Sequence, residues 1–397
     1  MKEPVFDTPL FDSRGSFFLL VFCYVAVVAS MGVIGIFVSF LPRIAQDLAI
    51  SKAQAGLALS LFSVPSALAC LPIGRLIDRI GILLGMMLAG LLMGAGDVML
   101  AVSNGRVELY LGMLLAGAGF GCLVVACPSA LVSWLSGDIR TRALSFWSTY
   151  GPVGYAFGLL LSVPFASGSA WRHAFYSHAA VAVALTALSL FLPRKGASVE
   201  LRSENVGLGL LFRDSSVIRL AAALALPNAV AYGVSVVTPS YLNRVYGMGL
   251  GLSNSGIAGA KIFAMMLGGV LTGYVLTKKF HFRVMYRILI CLGATALLVL
   301  FFPKGSFGLA LVGLIVWLLA FGGMAGAATA QLPFLVNRKE DIGSVSGLIG
   351  QVTSIVCLAT PPVYFALAGW SQYWGLSCVV LCCAALAVPS GRTNPQV

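Results

Sequence analysis

Apolar runs of membrane-spanning length recur along nearly the whole chain, separated by short polar stretches. The first of them, residues 17–40, contains no charged residue. A bilayer core about 30 Å thick needs roughly 20 apolar residues per helix. In lipid, only helices and closed barrels satisfy their backbone groups, and runs of this length without polar alternation favour helices. The pattern therefore predicts an all-α, polytopic membrane protein.

Twelve transmembrane helices are predicted from these runs. They cover residues 17–40, 54–74, 81–103, 108–134, 143–166, 173–192, 218–241, 254–277, 285–302, 306–330, 343–368 and 374–390. The one long polar stretch between them, residues 193–217, divides six helices from six. We therefore expect an N-terminal bundle over residues 1–192, a cytoplasmic linker over 193–217 and a C-terminal bundle over 218–397.

The positive charge of the chain fits this topology. Of the 25 Lys and Arg residues, 18 lie on the predicted side of the two termini and six on the opposite side. Cytoplasmic loops carry such an excess, so both termini are predicted in the cytoplasm, with the protein in a bacterial inner membrane. The bias also explains the net charge of +12 without a nucleic-acid partner.

Composition and motifs argue against an enzyme. Only 10% of the residues are charged and 59% are hydrophobic, which leaves no sizeable soluble domain. The nine cysteines lie in predicted helices without metal-site spacing. The chain also lacks an HExxH motif, a Ser/His pair and a nucleotide-binding loop. We expect no cofactor and no metal site, and transport would be driven by a gradient.

The two halves of the sequence resemble each other. The stretch that begins at Gly74, after the second helix, has a counterpart that begins at Gly273, after the eighth helix, at an offset of 199 residues. The same offset relates Trp171 to Trp370. Many secondary transporters are built from such repeats, because two similar bundles can rock about a central site.

The loop between the second and third helices carries a motif. It reads as a glycine, three residues, Asp-Arg, one residue and a glycine, matched by Gly74, Asp78, Arg79 and Gly81. With this loop, the chain resembles the major facilitator superfamily across essentially its full length. The family usually continues with a basic pair, whereas residues 82–83 are apolar here.

Within that family, the chain is most similar to the monocarboxylate-porter-like branch. This similarity is carried by Phe-Leu-Pro at 40–42 with Asp47-Leu48, and by Trp171-Arg172 with Phe175. The resemblance implies a secondary transporter that works by alternating access. It also implies that the motif loop sets the balance between inward-open and outward-open states.

The residues themselves allow the same role for the motif loop. Asp78 can pair with arginines such as Arg79 and Arg142, and can face the positive end of a helix beginning near Gly343. Such contacts would exist only when the cytoplasmic side is closed. The alternative is an ordinary loop with a surface ion pair, which would contribute little.

Lys261 interrupts an otherwise apolar eighth helix. A charge inside a membrane helix costs about 2.5–3.5 kcal/mol on insertion scales, so it normally faces a cavity or a partner. The predicted helices of the C-terminal half contain no carboxylate to neutralise it. We therefore predict that Lys261 binds an anionic substrate. The alternative is that Lys261 snorkels toward the outer interface.

Asp97 is the one carboxylate clearly inside a predicted span, and it is the candidate for proton coupling. The alternative places it at the outer interface. Many proton-coupled relatives carry an arginine in the fourth helix, four residues before a glycine. The matching position here, before Gly117, is Met113. Proton coupling would then use Asp97, a histidine or the proton of the substrate itself.

Other polar residues in the helices are candidates for lining a cavity. Asn228 and Tyr232 lie four residues apart, hence on one helix face, and Tyr150 and Gln351 complete this set. The sequence thus predicts a monomeric secondary active transporter of a small organic solute, anionic and coupled to protons. The alternative is an exporter of amphipathic compounds or drugs.

Overall fold

A computed structural model describes residues 13–165, 170–192, 215–247, 250–278, 280–302, 305–335, 342–365, 367 and 369–388. Within these ranges the chain is helical and contains no strand. The helices are α1 Ser13–Asp47, α2 Lys52–Ile80, α3 Ile82–Val102, α4 Arg106–Trp134, α5 Gly137–Trp147, α6 Tyr150–Ser162, α7 Trp171–Ser189, α8 Ser215–Tyr246, α9 Leu250–Thr277, α10 Phe282–Phe301, α11 Phe307–Thr329, α12 Leu332–Leu335, α13 Ile342–Phe365 and α14 Trp370–Ala387.

Each of the twelve predicted transmembrane helices falls on helix in the structure. Over the residues described, nine helices are long and apolar enough to cross a membrane, and two shorter apolar helices cover Tyr150–Phe165 and Ile262–Thr277. The nineteen-residue helix α7, at the sixth predicted position, brings these eleven helices to twelve. The prediction of an all-α, multi-pass membrane protein is therefore confirmed.

The predicted helix 143–166 is divided in the structure. Its first part is α5, its second part is α6, and the break lies at Ser148 and Thr149. Pro152 explains the position, because a proline at this point cannot donate the hydrogen bond that the Ser148 carbonyl would otherwise accept. The two pieces together form one span.

The helices pack as two bundles. In the first, α1 packs on α4 and α6, and α3 packs on α4 and α7; in the second, α9 and α10 pack on α11, and α13 and α14 pack on α8. The bundles meet where α2 packs on α13 and where α5 packs on α9.

Most of the predicted linker, residues 193–214, lies outside the described ranges, and α8 already begins at Ser215. The domain boundaries stay a prediction.

Close helix contacts depend on small residues, as is usual in membrane bundles. A Cβ atom added to Gly158 of α6 would overlap the carbonyl oxygen of Gly32 on α1. Helices α1 and α6 can therefore approach almost backbone to backbone.

The two ends of the helical bundles are called the terminus side and the far side. The terminus side is where α1 begins and α2 ends, and the far side is where α1 ends and α7 begins. On the far side, Trp171 Nε1 donates to Asp47 Oδ2 at 2.8 Å, and Arg172 donates to the Ser103 carbonyl oxygen at 2.7 Å. The residues that carried the branch resemblance thus join α1, α3 and α7.

Candidate functional site

The two bundles are joined on the terminus side by the carboxylate of Asp78. Its Oδ1 accepts a hydrogen bond from the Gly343 backbone N–H at 2.8 Å. Its Oδ2 accepts from the Ser344 N–H at 2.8 Å and from the Ser344 hydroxyl at 2.6 Å. Gly343 and Ser344 lie in the first turn of α13, where free N–H groups and the helix dipole favour an anion. Asp78 of one bundle therefore caps a helix of the other.

Steric constraints explain why both outer positions of the motif, 74 and 81, are glycines. A Cβ atom on Gly74 would overlap the carbonyl oxygen of Gly343, so α2 could not approach α13 this closely with any larger residue. Gly81 ends α2 with a φ of 91°, in the region that favours glycine. Between them, Arg79 lies in the last turn of α2, where a positive charge suits the helix end.

A second contact between the bundles repeats the first at the offset of 199 residues. Arg142 of α5 donates to the hydroxyl of Thr277, the counterpart of Asp78, at 3.3 Å. The Arg142 guanidinium also lies 5.7 Å from the ring centre of Tyr274 on α9. Gly273, the counterpart of Gly74, approaches Ser145 and the backbone of Arg142. The structure thus places Arg142 at this second contact.

Gln351 of α13 reaches across to the backbone of α2 next to Pro72. Its Oε1 accepts from the Leu71 N–H at 3.1 Å, and its Nε2 donates to the Leu68 carbonyl oxygen at 3.3 Å. Pro72 has no N–H, so the Leu68 carbonyl lacks its ordinary helical partner. The Gln351 side chain replaces that bond from the opposite bundle.

Tyr150 and Tyr232, predicted to line a cavity, belong to opposite bundles. They lie on α6 and α8, and Cys357 of α13 belongs to the electrostatic surroundings of both, as Tyr232 does to those of Tyr150. Tyr232 is nevertheless 45% exposed. Because its neighbours belong to both bundles, we interpret that exposed surface as facing an internal space between them.

Aromatic side chains surround Tyr150 on the N-terminal bundle. The ring centres of Trp147 and Phe120 lie 5.0 Å and 6.2 Å from that of Tyr150. Tyr24 of α1 bonds the Thr149 hydroxyl at 3.1 Å. The wall of the internal space therefore combines apolar rings with a few hydroxyl groups, as small-molecule sites commonly do.

The remaining predicted binding residues have different surroundings. The Asn228 amide donates to the carbonyl oxygen of Leu224 in its own helix at 2.7 Å. Next to it, Pro227 leaves the Ala223 carbonyl without a helical partner, and the Tyr286 hydroxyl of α10 donates to it. Lys261 lies in α9, and its side chain is outside what the structure describes.

Asp97 of α3 is paired with His178 of α7 inside the N-terminal bundle. Asp97 Oδ2 lies 2.7 Å from His178 Nδ1, and His178 Nε2 lies 2.7 Å from the Ala29 carbonyl oxygen of α1. Both side chains are fully buried. The structure thus favours an internal position for Asp97 over the interfacial alternative.

The pairing of Asp97 with His178 was not predicted from the sequence. The sequence contained one indication of this pair, since these are two ionisable residues at matching depth in two helices of the same half.

The arrangement as a whole has two helical bundles, polar groups between them and side-chain contacts that join them at one end. These features define a multi-pass membrane transporter.

Residues 21–361 match the family model of the Major Facilitator Superfamily, and the chain belongs to this family. The family and the fold indicate a transporter and not an enzyme. A curated relative, the inner membrane transport protein YajR of Escherichia coli (strain K12), is 23% identical over 335 residues, which are 81% of this chain and 69% of YajR.

Solved structures share the fold. The human organic anion transporter MFSD10 superposes with a TM-score of 0.78 at 14% identity, over 94% of this chain and 99% of that one. A single-residue variant of the fucose:proton symporter FucP of E. coli gives a TM-score of 0.73 at 15% identity, over 94% of this chain and 97% of FucP. The expected family and fold are therefore confirmed.

Proposed function

We propose that the protein is a secondary active transporter that moves a small organic anion together with protons by alternating access. The observation that carries this proposal is that Tyr150 and Tyr232 belong to opposite bundles, and we interpret the exposed surface of Tyr232 as lining a space between them. That space is closed toward the terminus side, where Asp78 caps α13. Two bundles joined at one end around a midplane site are what alternating access requires.

The excess of basic residues supports a cytoplasmic terminus side, and the proposed membrane is a bacterial inner membrane. With that orientation, the structure is closed to the cytoplasm, and the Asp78 contacts stabilise the outward-facing state. The internal space is then the place where substrate enters from outside.

Lys261 supports an anionic substrate. The sequence from residue 215 to residue 339 contains no Asp or Glu, so no carboxylate of α8 to α12 can neutralise this lysine. A bound anion would supply the missing charge, and a charge-assisted hydrogen bond is worth about 1.5–3 kcal/mol. The names of MFSD10, an organic anion transporter, and FucP, a proton symporter, are consistent with this assignment.

The test is uptake of labelled organic acids into proteoliposomes, with and without an imposed proton gradient. Lys261→Ala should weaken the apparent affinity about tenfold or more, because the charge partner of the anion is gone. Lys261→Arg should restore most of it. Arg244→Ala, which removes an exposed positive charge at the end of α8, is the matched control. Equal uptake by the wild type and Lys261→Ala would show that Lys261 does not bind the substrate anion.

The aromatic cluster around Tyr150 favours a second candidate, export of amphipathic compounds. Clustered aromatic rings bind flat apolar molecules, and their faces also attract cations. Efflux of a cationic dye separates the two functions, since a lysine in the site should repel cations. Robust dye export by the wild type would favour the exporter.

A further inference from the structure

Asp97 and His178 form a buried hydrogen-bonded chain that ends on the backbone of α1. The chain runs from Asp97 Oδ2 to His178 Nδ1, and from His178 Nε2 to the Ala29 carbonyl oxygen, with both distances at 2.7 Å. It connects α3, α7 and α1 across the interior of the N-terminal bundle. Neither the motif loop nor the space around Tyr150 and Tyr232 uses it.

The geometry fixes how many protons the pair holds. The Ala29 carbonyl can only accept, so Nε2 carries a hydrogen. The bond between Nδ1 and Oδ2 needs a second hydrogen, held by one atom or the other. The pair therefore contains one more proton than a neutral histidine beside a carboxylate, and its net charge is zero.

The second carboxyl oxygen indicates where that proton lies. Asp97 Oδ1 is buried and has no hydrogen-bond partner among the described residues. An unpartnered buried oxygen is much less costly as the carbonyl of a carboxylic acid than as part of a carboxylate. The arrangement thus fits a protonated Asp97 whose Oδ2–H donates to Nδ1.

The surroundings of the pair are apolar. From α6 the ring of Phe157 lies 6.3 Å from the His178 ring, and from α1 a Cβ atom on Gly32 would lie 3.0 Å from His178 Nε2. From α4, Ala116 and Gly112 pack against α3 one residue before Asp97. On the far side, these helices carry charged or titratable groups: Arg43 and Asp47 on α1, the exposed Arg106 and Glu108 on α4, and Arg172 and the exposed His173 on α7.

We propose that Asp97 and His178 together form the proton-binding site of the transporter and that loss of the shared proton releases α1. The inference rests on the proton coupling proposed above. On deprotonation, Asp97 becomes a carboxylate and His178 keeps a single hydrogen. If that hydrogen stayed on Nε2, the Nδ1 lone pair would face the carboxylate, and a charged acceptor holds a hydrogen bond more strongly than a neutral carbonyl. The hydrogen therefore moves to Nδ1, and the bond from Nε2 to the Ala29 carbonyl oxygen is lost.

Deprotonation thus breaks the bond to α1, so the shared proton holds the three helices together. Helix α1 also carries Tyr24, which bonds Thr149 beside Tyr150 of the internal space. Movement of α1 would therefore link proton release to the site where the substrate binds. Thermodynamic coupling requires such a two-state element, whose equilibrium both ligands bias.

Asp97→Asn is the decisive variant. The asparagine amide can donate to Nδ1 as the protonated carboxyl does, so the variant should fold and should imitate the protonated pair permanently. In proteoliposomes, it should exchange substrate by counterflow within about twofold of the wild type. It should lose the accumulation that a proton gradient drives. His173→Gln, on the same helix as His178 but exposed, is the matched control and should accumulate substrate like the wild type.

A second measurement needs no substrate. An unfolded histidine loses its proton near pH 6.5, so the unfolded wild type binds one proton fewer than the native pair above that pH. The Tm of the purified wild type should therefore fall as the pH rises above about 6.5. In Asp97→Asn the native histidine is neutral, so the Tm should instead rise toward about pH 6.5 and then stay level.

The outcomes separate this inference from the transport function. Gradient-driven accumulation by Asp97→Asn would overturn the proton site while leaving the transporter intact. Identical Tm profiles for the wild type and Asp97→Asn would overturn it as well, whether or not any acid is transported. The opposed Tm profiles with no uptake of any acid would support the proton-binding pair and reject the proposed substrate class.

Discussion

At the residue scale, Asp78 shows how one carboxylate can join two bundles. It accepts three hydrogen bonds from the first turn of α13, two of them from backbone N–H groups. Bonds to a charged acceptor are the stronger kind, and they exist only while α2 and α13 are in contact. With the proposed orientation, the outward-facing state is the state in which this charge is satisfied.

Asp78→Asn should shift the protein toward the inward-open state. The amide has one acceptor oxygen in place of two, and its NH₂ group would face an N–H of α13. We expect a loss of about 1–3 kcal/mol, roughly a tenfold or larger change in the ratio of the two states. Distances between spin labels at the ends of α2 and α13 would report the shift.

Asp138→Asn is the control for this measurement. Asp138 is an exposed carboxylate in the first turn of α5, on the same side of the membrane. It should leave the distance distribution unchanged. A similar response from both variants would mean that the surface charge, and not the cap on α13, sets the equilibrium.

Some of these residue contacts were predictable from sequence and others were not. The helix beginning near Gly343 was the expected partner of Asp78, in line with what the family resemblance implies for this loop, and the contact is present in the structure. Asp97 and His178 are 81 residues apart, and nothing local connects them. Gln351 was predicted to line the cavity, but its amide bonds the backbone of α2. Helix periodicity gives the face of a residue, whereas its partner depends on packing.

At the element scale, a proline removes one backbone hydrogen bond from each of two helices, and a side chain of another helix replaces that bond. We call such a missing backbone bond a proline gap. Pro72 leaves the Leu68 carbonyl to Gln351, and Pro227 leaves the Ala223 carbonyl to Tyr286. In lipid such a carbonyl has no water to bond, so a side chain from a neighbour is the available partner. The first pair joins the two bundles, whereas the second lies within the C-terminal bundle.

Gln351→Leu should weaken the contact between α2 and α13 by about 1–3 kcal/mol, because it leaves the Leu68 carbonyl without a partner. Pro72→Ala restores an N–H to α2, so in that background the same change should cost much less. The double-mutant cycle, read as the population of the inward-open state, measures this coupling. Additive effects of the two changes would show that the bond from Gln351 to the Leu68 carbonyl does not compensate for Pro72.

The elements themselves were largely predictable. Uninterrupted apolar runs determine spans, and all twelve fall on helices of the structure. The division of α5 from α6 was missed, although Pro152 lies beside it, because a proline inside a membrane helix does not always break it. Side-chain partners decide which outcome occurs, and these are not visible in a hydropathy pattern.

At the scale of the whole molecule, the internal repeat determines how the bundles meet. Asp78 and its counterpart Thr277 lie at equivalent contacts, one between α2 and α13 and the other between α9 and α5. The first uses a carboxylate on a helix end, and the second uses Arg142 with Tyr274. The offset of 199 residues predicted this equivalence, but the difference in chemistry between the two contacts appeared only in the structure.

The proline gap of α2 has a consequence for how the transporter opens to the cytoplasm. Pro72 lies eight residues before the end of the helix, about 12 Å deep at 1.5 Å per residue. When Gln351 withdraws, the Leu68 carbonyl needs another donor, and hydration of α2 to that depth supplies one. Opening would then be sensitive to water activity. Osmolytes that are excluded from protein surfaces should hold the wild type closed on this side, and Pro72→Ala should respond less.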